Sequence, residues 1–308
     1  MSADWLAGLA GLRRHEPLAR HSQFGVGGPA DMYAEIGDVD ALPELLRRCG
    51  EAGVQLTVLG AGSNTLLRDG GVRGLAIRVL DKRMTLAGDT VSLAAGAMLP
   101  RVALDLARRG LAGMEWGIGV PGTCGASVWG NAGAFGGEVA SALRSCEVCT
   151  SDGVIQRLDA GECGFAYRDS RFKHDLAGCV VLRGVFAVHD DDPAAVRART
   201  DAIQAERKRT QPYGVRSLGS TFKNPVGDHA GRLIEAVGLA GRREGDAQIS
   251  EKHCNFILNT GHASADDVLA LVEIAHDAVA ERFSVSLERE IVVAGEVAAA
   301  PQPHEARL

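Results

Sequence analysis

Residues 117–138, with the sequence GIGVPGTCGASVWGNAGAFGGE, hold eight glycines and decide how the rest of this chain is interpreted. Glycine loses more backbone entropy on folding than any other residue, so such a composition needs a compensating reason. Backbone without side chains can approach a flat or highly charged ligand closely and can present its N–H groups to that ligand. The stretch therefore indicates a binding loop, and we expect neither an amphipathic helix nor an alternating strand within it.

A flexible surface loop is the alternative interpretation of the same stretch. A solvated linker would carry Ser, Lys or Glu between its glycines. Here the residues between the glycines include the apolar side chains of Ile118, Val120, Val128, Trp129 and Phe135. This pattern favours a segment that packs against the protein or against a ligand.

The composition limits the classes of function that this chain can have. A chain of 308 residues can form two or three subdomains, and 46% hydrophobic and 23% charged residues are ordinary for a globular protein. The formal net charge of −6 argues against nucleic acid as a main partner, because nucleic-acid binding requires a basic face. No apolar run is long enough for a transmembrane helix, and the N-terminus lacks a basic-then-apolar signal pattern. We therefore expect no membrane partner and a cytoplasmic location.

Seven scattered cysteines, an odd number, do not suggest a disulfide framework. Cys146 and Cys149 form a C-x-x-C pair, which leaves zinc or redox chemistry open. Because there is no second pair and the flanking sequence is typical of a strand, we favour two strand residues and predict no metal site.

Two further glycine clusters precede the long stretch. Residues 24–31, FGVGGPAD, lead into a predicted strand, and residues 60–64, GAGSN, directly follow another. Small residues after a strand can bind a pyrophosphate through backbone donors, although a plain turn is equally compatible with 60–64 alone. The sequence of 60–64 is neither a P-loop nor a G-x-G-x-x-G motif. Three glycine-rich loops within the first 140 residues suggest a large nucleotide or dinucleotide cofactor.

Apolar periodicity, caps and turn residues predict the other elements. Asp192 followed by Pro193 predicts a helix start, and Ser264 with Asp267 predicts a capping box. The predicted helices span 38–53, 100–110, 192–209, 230–237 and 264–283, and the predicted strands span 32–36, 56–59, 75–80, 90–95, 143–150, 154–158, 179–189 and 285–293.

A set of polar residues in the second half of the chain could serve an anionic ligand if the fold brings them together. The set comprises Arg168, Ser220, Lys223, Asn224, His253, Glu288 and Glu290. These residue types indicate an enzyme with a cofactor and an anionic ligand, and they identify neither one.

Eight motifs in the same order make this chain resemble the UDP-N-acetylenolpyruvoylglucosamine reductase family, whose members are also called UDP-N-acetylmuramate dehydrogenases. The motifs are FGVGGPAD (24–31), LGAGSNTLLRDGGVRG (59–74), GIGVPGTCGASVWGNAGAFGGE (117–138), YRDSRFK (167–173), GSTFKNP (219–225), AGRLIEAVGL (230–239), AQISEKHCNFILN (247–259) and LEREI (287–291). They span nearly the whole chain. The chain has no inserted tyrosine-bearing loop and so resembles the shorter class of the family.

The resemblance implies an α+β fold of the vanillyl-alcohol-oxidase (PCMH-like) type, in which two subdomains hold FAD and a smaller α+β domain binds the substrate. The implied FAD-binding subdomains are 1–80 and 81–205, the second joined by a C-terminal strand at 285–297. The implied substrate-binding domain is 206–284, and residues 298–308 are expected to form a disordered tail.

The resemblance also implies that NADPH reduces a non-covalently bound FAD. Hydride then passes from N5 of the flavin to the methylene carbon of the enolpyruvyl ether in UDP-N-acetylglucosamine enolpyruvate. A proton on the neighbouring carbon completes UDP-N-acetylmuramate, a precursor of peptidoglycan. The implied partner is therefore a small nucleotide sugar, and we expect a monomer while leaving a dimer open.

Individual residues take their implied roles from the matching motifs. The implied FAD-binding residues are Gly60, Ala61, Gly62, Ser63, Asn64, Val120, Pro121, Gly122, Thr123, Gly125, Asn131, Ala132 and Gly133. Arg168 would bind the substrate carboxylate, Ser220 would donate the proton, and Glu290 would donate a hydrogen bond to the enol. A buried Glu290 is therefore expected to have a raised pKa. The implied substrate-binding residues are Arg168, Lys223, Asn224, Lys252 and His253.

Structural roles are the alternative for several of these residues. Glu288 shares a strand face with Glu290 by the period of two, so either carboxylate could be the functional one, although the motif favours Glu290. Arg168 could form a surface ion pair, and Ser220 could be a plain loop or cap residue. His253 could be a structural histidine, and we expect only a binding role for it.

The chain departs from the family pattern at Cys124, at Ala126 and in residues 214–218. The first two changes are small, whereas the third affects the expected substrate contacts. Trp116 and Trp129 are expected to be packing residues. Two other functions stay open: an FAD oxidase of the same fold acting on another alcohol or sugar, and a nucleotide-sugar-binding relative without catalysis.

Overall fold

The computed structural model describes residues 3–298 and shows an α+β protein whose strands form three larger sheets. The α-helices span Leu42–Ala52, Leu99–Arg108, Cys124–Gly130, Val139–Ala142, Pro193–Thr210, Ala230–Ala236 and Ala265–Phe283. Short 3-10 helices cover Ala3–Gly8, Leu18–His21, Val39–Ala41, Glu115–Gly119, Ala160–Cys163 and Arg171–Lys173. Within the described residues, no helix has the length and apolar character needed to cross a bilayer.

A mixed four-stranded sheet is built from the first 80 residues. Its strands in spatial order are Arg13–Pro17, Pro29–Ile36, Val72–Val79 and Leu56–Leu59. The last three run parallel, and residues 60–64 begin directly at the carboxyl end of Leu56–Leu59. Helix Leu42–Ala52 buries its leucines against this sheet, as its apolar stripe predicts. The first glycine loop therefore starts from a fixed sheet edge.

An antiparallel five-stranded sheet forms the centre of the molecule. Its strands in spatial order are Ile155–Asp159, Leu143–Cys149, Val180–Ala187, Thr90–Ala94 and Met84–Ala87. Successive side chains of the strand Val180–Ala187 enter different cores. Val181 packs with the helices Leu99–Arg108 and Cys124–Gly130, whereas Leu182 packs beside helix Leu42–Ala52. The alternation follows the two-residue period of a strand and buries both faces of the sheet.

A third, antiparallel sheet and two helices enclose a separate core. The strands in spatial order are Arg216–Ser220, Phe256–Asn259, Ala247–Ile249 and Arg243–Glu244, covered by Ala230–Ala236 and Ala265–Phe283. Phe24 and Leu66, from the beginning of the chain, are buried in the same core. The hydrophobic cores therefore cross the predicted divisions of the chain, and the boundaries near residues 80, 205 and 284 remain our proposal.

The C-terminal strand differs from its prediction in length and in partner. Only Val292–Ala294 is a strand, and it pairs in parallel with Thr65–Leu67, from the first 80 residues rather than from 81–205. The preceding backbone is engaged elsewhere, because the Glu290 N–H donates to the Thr221 carbonyl at 2.8 Å. The prediction of a strand over 285–293 is therefore wrong for its first part. Residues 299–308 of the predicted tail lie outside the described residues.

The glycine-rich stretch contains a helix that its composition did not predict. Residues Cys124–Gly130 are α-helical and follow the 3-10 helix Glu115–Gly119. A Cβ on Gly125 would lie 2.9 Å from the Ala95 Cβ, so this helix approaches its neighbour too closely for a larger residue. Part of the glycine content therefore serves packing within the protein.

Local signals predicted several other features correctly. Asp192 caps helix Pro193–Thr210, and Ser264 with Asp267 forms the predicted capping box. Cys146 and Cys149 are buried residues of strand Leu143–Cys149 and belong to different cores. Because their side chains leave opposite faces of the strand, the two thiols cannot share a ligand, and the interpretation as strand residues is confirmed.

The close approach at Gly125 gives a stability test. Gly125→Ala should lower the free energy of unfolding by about 1–3 kcal/mol, because the added methyl overpacks the contact with Ala95. Urea unfolding of the purified protein measures this change. Gly161→Ala, at an exposed position where a Cβ would meet nothing within 4 Å, is the control and should not destabilise. Equal stability of the two variants would contradict the packing role.

Candidate active site

A cleft of about 610 Å³ lies between the glycine loops and the third sheet. Most of the predicted site residues line it, and they come from segments that are far apart in the sequence. These residues are Gly60, Ala61, Gly62, Ser63, Asn64, Val120, Pro121, Gly122, Ala132, Gly133, Arg168, Ser220, Asn224, Lys252, His253 and Glu290.

Two glycine-containing loops in direct contact form one wall of the cleft. A Cβ on Gly60 would lie 3.0 Å from both the Ala126 Cβ and the Thr123 Oγ1. Gly62 has a φ of 64°, and a Cβ there would lie 2.6 Å from the His21 carbonyl oxygen. Glycine is needed at both positions because larger residues would separate the loops or strain the turn.

Thr123 and Gly125 do not line the cleft, contrary to the expectation for a flavin-binding pair. Thr123 is buried where the first glycine loop packs, and Gly125 packs against Ala95. Their immediate neighbours Gly122 and Ala126 do line it. Within the helix Cys124–Gly130, the cleft is lined by Ala126, Ser127, Trp129 and Gly130 and not by Cys124, Gly125 or Val128, which a motif match alone does not reveal.

Asn131 is likewise enclosed by protein, with no exposed surface. Its side-chain Nδ2 donates to the Ala166 carbonyl at 2.8 Å, and its Oδ1 accepts from the Ala140 N–H at 2.9 Å. The residue has a φ of 45°, a left-handed conformation that asparagine tolerates better than most residues. Asn131 thus connects the loop that contains Arg168 to the C-terminal end of the helix Cys124–Gly130.

Arg168 is held at the cleft by several groups, among them the Asn131 carbonyl, which accepts from a terminal nitrogen at 3.5 Å. Its Nε donates to Glu290 Oε1 at 3.0 Å, and a terminal nitrogen donates to the Gly133 carbonyl at 2.6 Å. The Arg168 carbonyl accepts from Lys173 Nζ at 2.6 Å, and the guanidinium lies 5.2 Å from the centre of the Tyr167 ring. The alternative of an exposed surface ion pair does not hold, because the Arg168 side chain is only 21% exposed.

Glu290 is the buried carboxylate of this region. Burial raises its pKa above the ordinary value, while the positive charges of Arg168, Lys173 and Lys223 oppose the rise. The expected direction of the shift is therefore confirmed. Glu288 does not line the cleft, and its exposed carboxylate pairs with Lys223 Nζ at 2.6 Å. The structure thus distinguishes Glu290, which lines the cleft, from Glu288, which does not, whereas the two-residue period of a strand could not distinguish them.

Lys223, one of the predicted substrate-binding residues, does not line the cleft. Its ammonium is paired with Glu288, and its backbone N–H donates to the Glu288 carbonyl at 2.8 Å. Its charge still acts on Glu290. Lys223 therefore lies behind the site rather than within its lining.

Ser220 reaches the cleft at the end of strand Arg216–Ser220. The next residue, Thr221, donates its N–H to the Asn255 carbonyl at 2.7 Å and accepts the N–H of Glu290 at 2.8 Å. Ser220 and Glu290 are therefore connected through a single residue of backbone. The third sheet fixes both.

The remaining predicted substrate residues have partners within the protein. Asn224 Oδ1 accepts from the Ala230 N–H at 3.1 Å, and Lys252 Nζ donates to the Lys208 carbonyl at 2.6 Å. His253 Nδ1 accepts from the Asn255 N–H at 3.3 Å, and burial lowers the pKa of His253. Because Nδ1 accepts this hydrogen bond, a neutral ring carries its proton on Nε2.

The cleft fits a large flavin nucleotide by two observations. One wall offers backbone and few side chains, as a flat or phosphorylated ligand requires. Ser127 lines the cleft, and its buried hydroxyl has no hydrogen-bond partner among the described residues. A buried polar atom without a partner is costly, and a bound ligand would satisfy it.

Comparison with known proteins agrees with this geometry. A family model described as an FAD binding domain matches residues 30–159, and one described as the C-terminal domain of UDP-N-acetylenolpyruvoylglucosamine reductase matches residues 211–294. The Symbiobacterium thermophilum UDP-N-acetylenolpyruvoylglucosamine reductase 2 is 44% identical over 92% of both chains, and the Rubrobacter xylanophilus reductase is 43% identical over 91% of this chain and 94% of its own length. This chain belongs to the UDP-N-acetylenolpyruvoylglucosamine reductase family.

A solved structure extends the family match to the fold. The UDP-N-acetylenolpyruvylglucosamine reductase from Thermus caldophilus matches with a TM-score of 0.78 and 37% identity, over 90% of this chain and 97% of that chain. The expected α+β FAD-binding fold with an additional substrate-binding domain is confirmed. The resemblance to this family is confirmed with it.

Several residues of the reductase cleft were not assigned from the sequence. Lys173 lies 4.8 Å from the centre of the Trp129 ring and bonds the Arg168 carbonyl. Trp129 also lines the cleft, whereas Trp116 is a buried core residue as expected. Cys124 lies in the core, where burial raises the pKa of its thiol to about 12. The YRDSRFK motif contained Lys173, so a basic residue five positions after Arg168 was the available signal.

Asn131 gives a test of how the Arg168 loop is fixed. Asn131→Ala should lower the free energy of unfolding by about 1–3 kcal/mol, because two partly buried hydrogen bonds of its side chain are lost. Urea unfolding measures the loss. Gln156→Ala, at an exposed strand position, should change stability by less than about 0.5 kcal/mol. Unchanged stability of Asn131→Ala would show that these two hydrogen bonds do not hold the loop.

Proposed function

We propose that this chain reduces the enolpyruvyl ether of UDP-N-acetylglucosamine enolpyruvate to UDP-N-acetylmuramate, with NADPH as reductant and FAD as cofactor, in peptidoglycan precursor synthesis. One observation carries the proposal: Arg168, Ser220 and Glu290 line a single cleft whose opposite wall is glycine-rich backbone. An anion-binding group, a hydroxyl and a carboxylate of raised pKa are the groups that reduction of an enol ether beside a carboxylate requires.

Bound FAD would supply hydride transfer between NADPH and the substrate. The residues that would hold it are Gly60, Ala61, Gly62, Ser63, Asn64, Val120, Pro121, Gly122, Ala132 and Gly133. Ser127 would donate its unpartnered hydroxyl to the same ligand. Because none of these residues is a histidine or a cysteine, they offer the flavin no covalent attachment.

Arg168 would stabilise the charge that develops on the substrate. Hydride addition to the methylene carbon places negative charge on the adjacent carbon and its carboxylate. A guanidinium already fixed in the cleft can bind that carboxylate without reorganising, which is the main requirement of electrostatic catalysis. Its hydrogen bonds to Gly133 and Glu290 provide this fixed position.

Glu290 would hold a proton when the substrate carboxylate is bound. Two carboxylates near one guanidinium do not both ionise readily, and burial already raises the pKa of Glu290. A protonated Glu290 can donate a hydrogen bond to the enol oxygen. Ser220 would then deliver its proton to the neighbouring carbon, as a weak acid can do towards a strongly basic carbanion-like centre.

We propose a monomer as the active unit, because Arg168, Ser220 and Glu290 of one chain supply all three proposed reacting groups. We infer a cytoplasmic reaction because the proposed reductant is a pyridine nucleotide. The proposed partner is the nucleotide sugar.

Steady-state NADPH oxidation tests the function directly. We expect oxidation that requires UDP-N-acetylglucosamine enolpyruvate and yields UDP-N-acetylmuramate, identified by mass spectrometry. Oxidation that proceeds equally fast in air without the enolpyruvyl compound would indicate an FAD oxidase instead. A yellow protein that binds the nucleotide sugar and oxidises no NADPH would be a relative without catalysis.

Ser220→Ala separates proton donation from flavin reduction. Anaerobic stopped-flow absorbance should show flavin reduction by NADPH nearly unchanged and flavin reoxidation by the enolpyruvyl substrate slowed by about 10²–10⁴-fold, because only the second step needs the proton. Ser217→Ala is the control, because Ser217 lies on the same strand but does not line the cleft. Equal slowing of both steps would remove the proton-donor role.

The raised pKa of Glu290 predicts a pH dependence of the second half-reaction. The protonated form is the active one, so the rate should fall as pH rises through a pKa above the ordinary 4.5. Lys173→Met removes a positive charge that favours ionisation, so this decline should move to higher pH. Stopped-flow rates across pH measure both effects. Lys82→Met, which removes the charge of an exposed lysine, is the control and should leave the profile unchanged. A profile that Lys173→Met also leaves unmoved would contradict the assignment.

A further inference from the structure

Arg207 is a cation of the cleft that neither the motifs nor the proposed mechanism uses. It lies in the last turn of helix Pro193–Thr210 and lines both the main cleft and an adjoining cavity of about 370 Å³. Its guanidinium is partly buried, and burial lowers the pKa of Arg207. Among residues 3–298 the guanidinium has no hydrogen bond and no carboxylate within 4.0 Å.

The other cations that line the main cleft have partners within the protein. Arg168 pairs with Glu290, and Arg232 pairs with Asp228. The Lys173 and Lys252 ammonium groups each donate to a backbone carbonyl at 2.6 Å. A partly buried guanidinium that lacks a partner is unfavourable unless a ligand supplies the anion. Arg207 is thus the cleft cation left for a ligand in the described part of the chain.

The position of Arg207 identifies the chemistry of that anion. Ser63 and Pro121, one from each glycine loop, line both cavities together with Arg207. Residues 59–64 and 119–122 contain no lysine or arginine, so these loops offer backbone N–H groups without a positive charge. Backbone N–H groups beside one guanidinium are a typical combination for binding a diphosphate.

We propose that Arg207 binds the diphosphate of a nucleotide in the cleft. The inference rests on the proposed function, which brings two such groups to this chain: the diphosphate of FAD and that of the UDP sugar. The planar guanidinium can bind two phosphate oxygens at once, and the bound diphosphate supplies the missing counter-ion. Arg216 also borders the smaller cavity, but it is exposed and its charge is hydrated.

Arg207→Gln tests the proposal, with Arg209→Gln as the matched control. Arg209 lies two residues further along the same helix, is 72% exposed, pairs with Glu206 and lines neither cavity. Both variants remove one positive charge, so a general electrostatic effect is the same in each. Circular dichroism of the purified holoenzymes confirms that both are folded.

Two direct binding measurements distinguish the sources of the diphosphate. Flavin retained after dilution and ultrafiltration reports FAD affinity, and calorimetric titration of the FAD-saturated protein with UDP reports the nucleotide-sugar side. We expect Arg207→Gln to weaken one of them by about tenfold or more, the scale of a lost charge-assisted hydrogen bond. Loss of FAD assigns Arg207 to the cofactor, and loss of UDP with FAD retained assigns it to the substrate.

The proposal is overturned if both affinities of Arg207→Gln stay within about twofold of Arg209→Gln. Arg207→Lys keeps the charge and the aliphatic stem and serves if the glutamine variant does not fold. A loss of affinity for FAD or for UDP relative to Arg209→Gln then supports the proposal, and unchanged affinity for both ligands overturns it. Neither measurement needs turnover, so failure of the NADPH assay would refute the proposed function and leave this result intact.

Discussion

The hydrogen-bonded ion pair between Arg168 and Glu290 is the interaction on which the site depends. It joins two residues 122 positions apart at 3.0 Å, and one of them lies in a segment bonded to the third sheet. Removing either partner would leave the other charge partly buried and unpaired, which costs several kcal/mol, on the order of 3–5. The ion pair therefore stabilises the contact between two distant segments of the chain, and both of its members are also candidate reacting groups. A position held this firmly lets the guanidinium meet a substrate carboxylate without moving.

The segment that carries Glu290 explains why the final strand is short. Its backbone bonds Thr221 and Lys223 of the third sheet region before Val292–Ala294 joins Thr65–Leu67. The Val292 N–H also donates to the Asn64 carbonyl at 2.9 Å, next to the first glycine loop. The chain thus crosses from the third-sheet side of the cleft to the side of the first glycine loop within a few residues. Regular strand pairing over the whole segment would place Glu290 on one side only.

Features set by neighbours in sequence were predictable, and features set by distant packing were not. The caps at Asp192 and Ser264 depend on residues three positions away, and the structure contains both. The glycines of 117–138 were interpreted as ligand contacts, yet Gly125 is required by Ala95, a residue that no local pattern connects to it. Arg207 was missed because one basic residue on a polar helix is indistinguishable from a solvated one until the fold buries it. The common cleft itself followed from the family resemblance, since separate polar segments do not show that they converge.

The cleft has the opposite electrostatic character to the chain as a whole. The net charge is −6, but many surface carboxylates lie three or four residues from an arginine on the same helix and pair with it, as Glu206 does with Arg209. Five lysines and arginines line the cleft, against the two carboxylates of Glu235 and Glu290. Partial burial of Arg168, Lys173 and Arg207 makes their charges act more strongly than fully exposed surface charges. A negative net charge argues against a long polyanion, which needs an extended basic face, and has no bearing on a nucleotide whose few charges would meet the cations of one cleft.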